Sequence, residues 1–295
     1  MIVRLKGGLG NQMFQYAFAK QLEVIYGIND IKIDGSFYTK ANEVTVTQYN
    51  SIDDFDVHYE RASLQDVKKA CFFSHNQKPM TLMYRIPMLL EMVLNKKYYH
   101  VRNFLYVNPK ELTKYAYLDG SWQCPKYLNG IEDILRNEFV YQKPIAAAIQ
   151  EQIEKAKKEN SVFIGIRRGD YVKPENIGLY GELKENYYNQ AISCIRGKVK
   201  DPVFYVMSDD IDWVKSNIRF NAPVNYREGK MIGNAHEEIM FMSSCKHAII
   251  PNSTFHWWGA WLINNEEKIV VCPKPWFANN TEIEIVPETW IEMTR

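Results

Sequence analysis

SVFIGIRRGDYV, residues 161–172, decides how the chain is read. Val162, Phe163, Ile164 and Ile166 form the apolar run of a strand covered on both faces, as in a parallel sheet, and Arg167 and Arg168 fall where that strand ends. Ligands of open α/β sheets bind at the carboxyl ends of the strands. Two adjacent guanidinium groups repel each other and lose hydration, so their placement there suits a polyanion, with diphosphate the natural candidate. The same pair can equally form a solvated ion cluster with Asp170 and a neighbouring acid.

Working outward, the second half of the chain alternates Val/Ile-rich strands (162–166, 203–207, 222–225, 248–250, 269–272) with helical segments (187–195, 211–217, 236–244, 256–263). Such alternation predicts a parallel sheet with helices on both faces. The loops after three of these strands carry Arg167, Arg168 and Asp170; Ser208, Asp209 and Asp210; and Asn252, Ser253 and Thr254. Cations, carboxylates and hydroxyl or helix-N-terminal donors on one edge are what a nucleotide diphosphate needs. Ser208 can cap the following helix, and that alone would justify a Ser-Asp-Asp. Asp210-Ile-Asp212 also spells a DxD metal motif, but the first turn of a helix would turn those carboxylates apart. Trp257, Trp258 and Trp261 read as helix packing, and His256 as structural.

The chain opens with a short strand, Ile2–Leu5, and a Gly-rich turn, Lys6–Gly10. Met13, Phe14, Ala17, Phe18, Leu22 and Ile25 then recur at helical spacing. Gly7, Gly8 and Gly10 let the turn approach a ligand, and Asn11 can cap the helix. Ile31–Asp34 supplies a second strand ending in an acid, as in a dinucleotide fold, but Met13 stands where the third glycine belongs, and no GKS or GKT supports a P-loop. Helical spacing covers 79–104 and ends in the basic Lys96–His100; it reads as a packing helix, with contact to a membrane bearing lipid-linked sugar as the alternative. Asp53, Asp54 and Asp56 read as turn acids. Trp122 and Gln123, at the end of a strand over 117–123, can hold a sugar, or Trp122 can be core. A helix over 126–139 precedes Pro144, which opens a charged helix (145–159) and marks the domain boundary.

With 295 residues, 46% hydrophobic and 14% aromatic, the chain is globular rather than disordered. A net charge of +1 offers no global attraction to nucleic acid or anionic lipid. Five scattered cysteines without a CxxC read as reduced core residues of a cytosolic protein. No signal peptide, anchor or membrane span is visible.

GIRRGDY (165–171) resembles the HxRRxD peptide of α-1,2- and α-1,6-fucosyltransferases. GGLGNQMFQYA (7–17), DGSWQ (119–123), SDD (208–210) and CKHAIIPNSTFHWWGAWL (245–262) resemble, in the family's order, the bacterial α-1,2-fucosyltransferases, glycosyltransferase family 11. The resemblance runs from the first strand to about Trp290 and is weakest over 28–116. It implies an α/β fold of GT-B type, two Rossmann-like domains facing a central cleft. Residues 1–143 would form the acceptor-side domain and 144–295 the GDP-fucose-binding domain, with the last residues packing back on the first.

The implied activity is inverting transfer of L-fucose from GDP-fucose to the 2-hydroxyl of a terminal galactoside. It would serve surface polysaccharide or glycan synthesis in the cytoplasm or at the inner face of the membrane, on an oligosaccharide or lipid-linked glycan, with no cofactor and no metal. Gly8, Gly10, Asn11, Gln12, Arg167, Arg168, Ser208, Asp209, Asp210, Asn252, Ser253 and Thr254 would bind the donor, and Trp122 and Gln123 the acceptor. Arg167, Asp170 and Glu175 would be catalytic, Arg167 on the leaving group and either acid as base, with Glu182 a third choice. Two departures stand out: Gly165 replaces the histidine that usually opens the motif, and Tyr180-Gly181 replaces a frequent His-Gly. Another inverting linkage or nucleotide sugar, or a sugar-nucleotide-binding protein without turnover, are the alternatives.

Overall fold

The computed structural model describes residues 1–39, 51–71, 89–101, 103–169 and 177–295. Asp170 and Glu175, and residues 79–88 of the expected packing helix, lie outside them. Contacts divide the chain into two compact units, Met1–Val140 with Ile283–Ile285, and Tyr141–Glu282 with Val286–Arg295. Tyr141 goes with the second unit, ahead of the break expected at Pro144, because its ring stacks on His236 at 5.0 Å and its hydroxyl accepts from Asn234.

The first unit holds β1 (Ile2–Arg4), β2 (Lys32–Asp34), β3 (Glu60–Arg61), β4 (Tyr98–His100) and β5 (Tyr117–Asp119), in the order β3-β2-β1-β5-β4. All four pairings are parallel. The chain moves from β1 to β2 and β3 on one side and returns to β5 on the other, so the topological switch lies between β1 and β5. Between β1 and the helix Leu9–Val24, Gly7 takes φ +82°, a conformation side-chain-bearing residues rarely adopt. The cap is Gly8 in extended conformation, so Asn11, expected to cap, lies inside the first turn. The apolar stripe of that helix, with Met13, Phe14, Ala17, Phe18 and Leu22, is fully buried.

Two segments expected to be helical fold otherwise. Tyr98–His100 is not the basic end of a helix but the edge strand β4, with Tyr98 buried against Tyr117; adjacent tyrosines favour a pleated, half-buried surface. The helix expected over 126–139 is broken at Asn129-Gly130 into a 3-10 turn, Pro125–Leu128, and a helix, Glu132–Glu138.

The second unit holds β6 (Asn160–Ile166), β7 (Pro202–Ser208), β8 (Val224–Tyr226), β9 (His247–Ile249), β10 (Val270–Lys274) and β11 (Ile291–Thr294), in the order β11-β10-β9-β6-β7-β8. These pairings are parallel as well. The central strand β6 pairs with β7 from Asn160 to Ile166 and is buried along nearly its whole length. Its core joins Val162, Ile164 and Ile166 to Tyr187, Ile192, Phe204 and Val206. The strand order reverses between β6 and β9, the second switch point. The charged helix expected from Pro144 begins at Ala147, after Ala146 donates its N–H to Glu237. The final residues do not return to the first unit: they add β11 to this sheet, and Ile283–Ile285 is the segment that joins the first unit.

All five cysteines are free, and all but Cys194 are buried. No described helix is long and apolar enough to cross a membrane.

Candidate functional site

The order β9-β6-β7 sets three polar loops side by side at the carboxyl edge of the second sheet. Asp209, after β7, accepts main-chain N–H groups of Arg168 at 2.8 Å and Gly169 at 3.0 Å, one on each oxygen. Its carboxylate thereby holds the loop after β6. Asp210 caps the helix Ile211–Asn217 through Trp213 N–H at 3.1 Å, and Ser208 Oγ accepts from Asp210 N–H at 3.0 Å. The cap is therefore Asp210 rather than Ser208, because the serine hydroxyl is taken up one residue earlier.

The two arginines part company. Arg168 Nε lies 3.0 Å from Asp210 Oδ2, its Nη1 pairs with Glu182, and its guanidinium lies 4.1 Å over the ring of Trp213. It forms an ion cluster with Asp210 and Glu182, whereas Asp170, the acid expected in such a cluster, lies outside the described residues. This places Arg168, Asp209 and Asp210 in loop architecture and engages Glu182, the third choice of base. Asp210 is committed to the cap and to Arg168, which leaves Asp210-Ile-Asp212 poorly arranged as a metal pair. Among the described residues no three His, Cys, Asp or Glu side chains gather into a metal-binding group.

Arg167 is half-buried on the side of His256. After β9, Asn252 donates to the Tyr180 carbonyl at 2.9 Å, and Arg295 donates to the same oxygen at 2.6 Å. Tyr180, the residue that departs from the family pattern, thus acts here through its main chain. The helix Thr254–Leu262 starts at Ser253 without a side-chain cap. Its positive end and the Arg167 guanidinium belong to loops of adjacent strands, a suitable setting for an anion. Trp257 and Trp258 are buried in the helix packing, and Trp257 lies 5.3 Å from Trp290. Burial, and then Arg167, push the His256 imidazole down to about 3, so it is neutral near pH 7.

At the switch point of the first unit, Asp119 is wholly buried. It lies 3.1 Å from Arg4 Nη1, 2.5 Å from Lys6 Nζ and 3.4 Å from His100, and accepts the Tyr98 hydroxyl at 3.0 Å. Burial works against its charge, but Lys6 and Arg4, with His100, outweigh it and hold the carboxyl well below its ordinary range. Gln123 donates to Asn11 at 2.9 Å, joining the loop after β5 to the helix start. Gln12 is buried, donates to the Gly7 carbonyl at 3.2 Å and accepts from Ile52 N–H at 3.0 Å, so it braces the Gly-rich turn from within. A Cβ on Gly8 would meet nothing within 4 Å, so the main chain there is open; Gly10 lies in the first turn of the helix. Asp34, the acid weighed as a ribose ligand, instead accepts the Tyr117 hydroxyl and Ser36 N–H.

Trp122 is 3% exposed and stacks on Phe18 at 3.8 Å, so its ring is core and offers no open face to a sugar. Sequence reasoning did not find the Arg4–Lys6–Tyr98–His100 shell. The one signal for it is two cations, Arg4 and Lys6, at the carboxyl end of an otherwise apolar first strand.

Two α/β units, each with a wholly parallel sheet and polar loops at its switch point, are the two Rossmann-like domains of the GT-B fold class. The profile described as glycosyl transferase family 11 matches residues 1–293, and the chain belongs to that family. It is 30% identical over 307 residues to the O-antigen biosynthesis glycosyltransferase WbnK of Escherichia coli, covering 98% of this chain and 99% of that one. It is also 30% identical to the α-1,2-colitosyltransferase of Escherichia coli over 306 residues, 100% and 99% of the two chains. Galactoside α-(1,2)-fucosyltransferase 1 of Bos taurus matches at 24% over 169 residues, 52% of this chain and 47% of that one. Among solved structures, POFUT1 in complex with GDP-fucose aligns over 92% of this chain and 97% of that one, at 11% identity and a TM-score of 0.48.

Proposed function

We propose that the protein transfers L-fucose from GDP-fucose, with inversion, to the 2-hydroxyl of a terminal galactoside, in the cytoplasmic assembly of a surface polysaccharide. The observation that carries this is the placement of Arg167 and the start of the helix Thr254–Leu262, which has no side-chain cap, on the loops of the adjacent strands β6 and β9 at the switch point. Arg168 is neutralised by Asp210 and Glu182, and the His256 imidazole near Arg167 is neutral. As the fucose–phosphate bond breaks through an oxocarbenium-like state, negative charge grows on GDP. Arg167 and the N–H groups of the helix start then hold that charge, a contribution of several kcal/mol in a dry site. The attacking hydroxyl needs at most a weak base, and Asp170 or Glu175 is the proposed acceptor of its proton. Trp122 takes no part, and acceptor contact in the first unit falls to the neighbourhood of Gly8, Asn11 and Gln123. No metal enters this scheme.

A second reading, transfer of another deoxysugar from its nucleotide, is favoured by the full-length similarity to an α-1,2-colitosyltransferase. Both readings are tested by offering GDP-fucose and a panel of β-galactosides in EDTA and reading the product linkage by NMR. An α-1,2-linked fucoside is expected. GDP binding with no fucoside from any acceptor would overturn the fucose assignment in favour of the second reading or of a binding protein without turnover. A strict Mg2+ requirement would overturn the metal-free scheme.

A further inference from the structure

Gly165 is the last residue but one of β6, two before Arg167, and no side chain fits there. A Cβ at 165 would stand 2.6 Å from Nε2 of His256, closer still to its Cδ2, and 2.8 Å from Cδ of Pro251. The imidazole, carried by the first turn of the helix after β9, fills from the neighbouring loop the volume a residue-165 side chain would take. His256 is only 7% exposed, and its buried Nδ1 has no hydrogen-bond partner among the described residues. A purely space-filling role would be met at lower cost by an apolar residue, since a buried ring nitrogen without a partner destabilises the fold.

We propose that His256 is a positioning residue for Arg167: its imidazole, packed over Gly165 from the neighbouring loop, holds the end of β6 so that Arg167 meets a diphosphate. This rests on the nucleotide reading above. Burial next to a guanidinium keeps the ring neutral, so it adds no second charge to repel Arg167. Because the imidazole fills the space that a side chain at 165 would need, a ring can be moved to 165 only if His256 is reduced at the same time.

The test is the affinity of the full-length protein for GDP, by calorimetry, with melting temperature as the control for folding. His256→Ala is expected to weaken GDP binding about tenfold in the wild-type background and to have almost no effect on top of Arg167→Ala, the non-additivity expected of contacting residues. His256→Phe, which restores bulk without ring nitrogens, is expected to stay weak, and Gly165→His combined with His256→Ala to recover most of the affinity. Additive effects of His256→Ala and Arg167→Ala, or full affinity in His256→Phe, would overturn the proposal. If the exchanged pair does not fold, the cycle with Arg167→Ala decides alone. A wild-type protein that does not bind GDP would overturn the nucleotide reading itself, and this inference with it.

Discussion

The guanidinium of Arg168 lies 4.1 Å over the ring of Trp213. One of two adjacent arginines is thus packed on the helix that follows β7, while the other lies half-buried at the strand end near His256. On the proposed reading, the loop that looks doubly cationic in sequence carries one structural charge, Arg168, and one that serves the diphosphate, Arg167.

Substituting each arginine separates these roles. Arg167→Ala should lower turnover by more than about a hundredfold, as loss of a transition-state charge partner does, with little change in melting temperature. Arg168→Ala should cost about 1–2 kcal/mol of stability, because it leaves Asp210 and Glu182 facing each other and uncovers Trp213. Urea unfolding and initial-rate assays on both variants check the pair; full activity in Arg167→Ala would sink the diphosphate role.

Asp119 is a buried carboxylate whose partners are Lys6, Arg4, His100 and Tyr98. Asp119→Ala should destabilise by about 3–5 kcal/mol, since buried cations are left uncompensated. The sign of the pH effect follows from a carboxyl held below its ordinary value of 3.8. The stabilisation is complete above about pH 4 and lost as the pH falls below it. Acid titration of the wild-type fold, followed by circular dichroism, should report that loss.

His256 shifts in the direction usual for a buried base, from 6.5 to about 3. Between those values the unfolded chain binds the extra proton and the folded one does not. Stability is therefore full above pH 6.5 and falls as the pH drops through the window, by up to about 1.4 kcal/mol per pH unit. Urea midpoints at pH 7.5 and 5.5 should fall further for the wild type than for His256→Gln.

Trp122 offers a simple contrast between core and sugar platform. Stacked on Phe18 and 3% exposed, it should lose about 3–5 kcal/mol on substitution by alanine. Trp122→Phe should cost less and leave the KM for the acceptor unchanged; a raised acceptor KM in a stable Trp122→Phe protein would restore it to the acceptor site.

Much of the second unit was legible from hydrophobic pattern alone. Runs such as Val162–Ile166 are buried on both faces, so they read as parallel strands without knowledge of partners. The loops carrying Arg167, Asp209 and Asn252 followed, because strand ends are where apolar runs stop. Less legible were β3, β4 and β11, short strands at or near the sheet edges. Glu60–Arg61 is exposed, and Ile291–Thr294 alternates between half-buried and exposed; pairing rather than composition makes them strands.

The amino-acid sequence by itself determined the family, the alternation of strand and helix, and the identity of the polar loops. It did so because those properties lie in local periodicity and contiguous motifs. Only the tertiary structure decided which members of those loops are spent on the fold. Arg168, Asp209 and Gln12 find their partners across the chain, Trp122 finds a ring to stack on, and His256 enters the space beside Gly165. Each of these outcomes depends on what lies opposite once the strands are ordered, a relation between distant segments that no local pattern encodes.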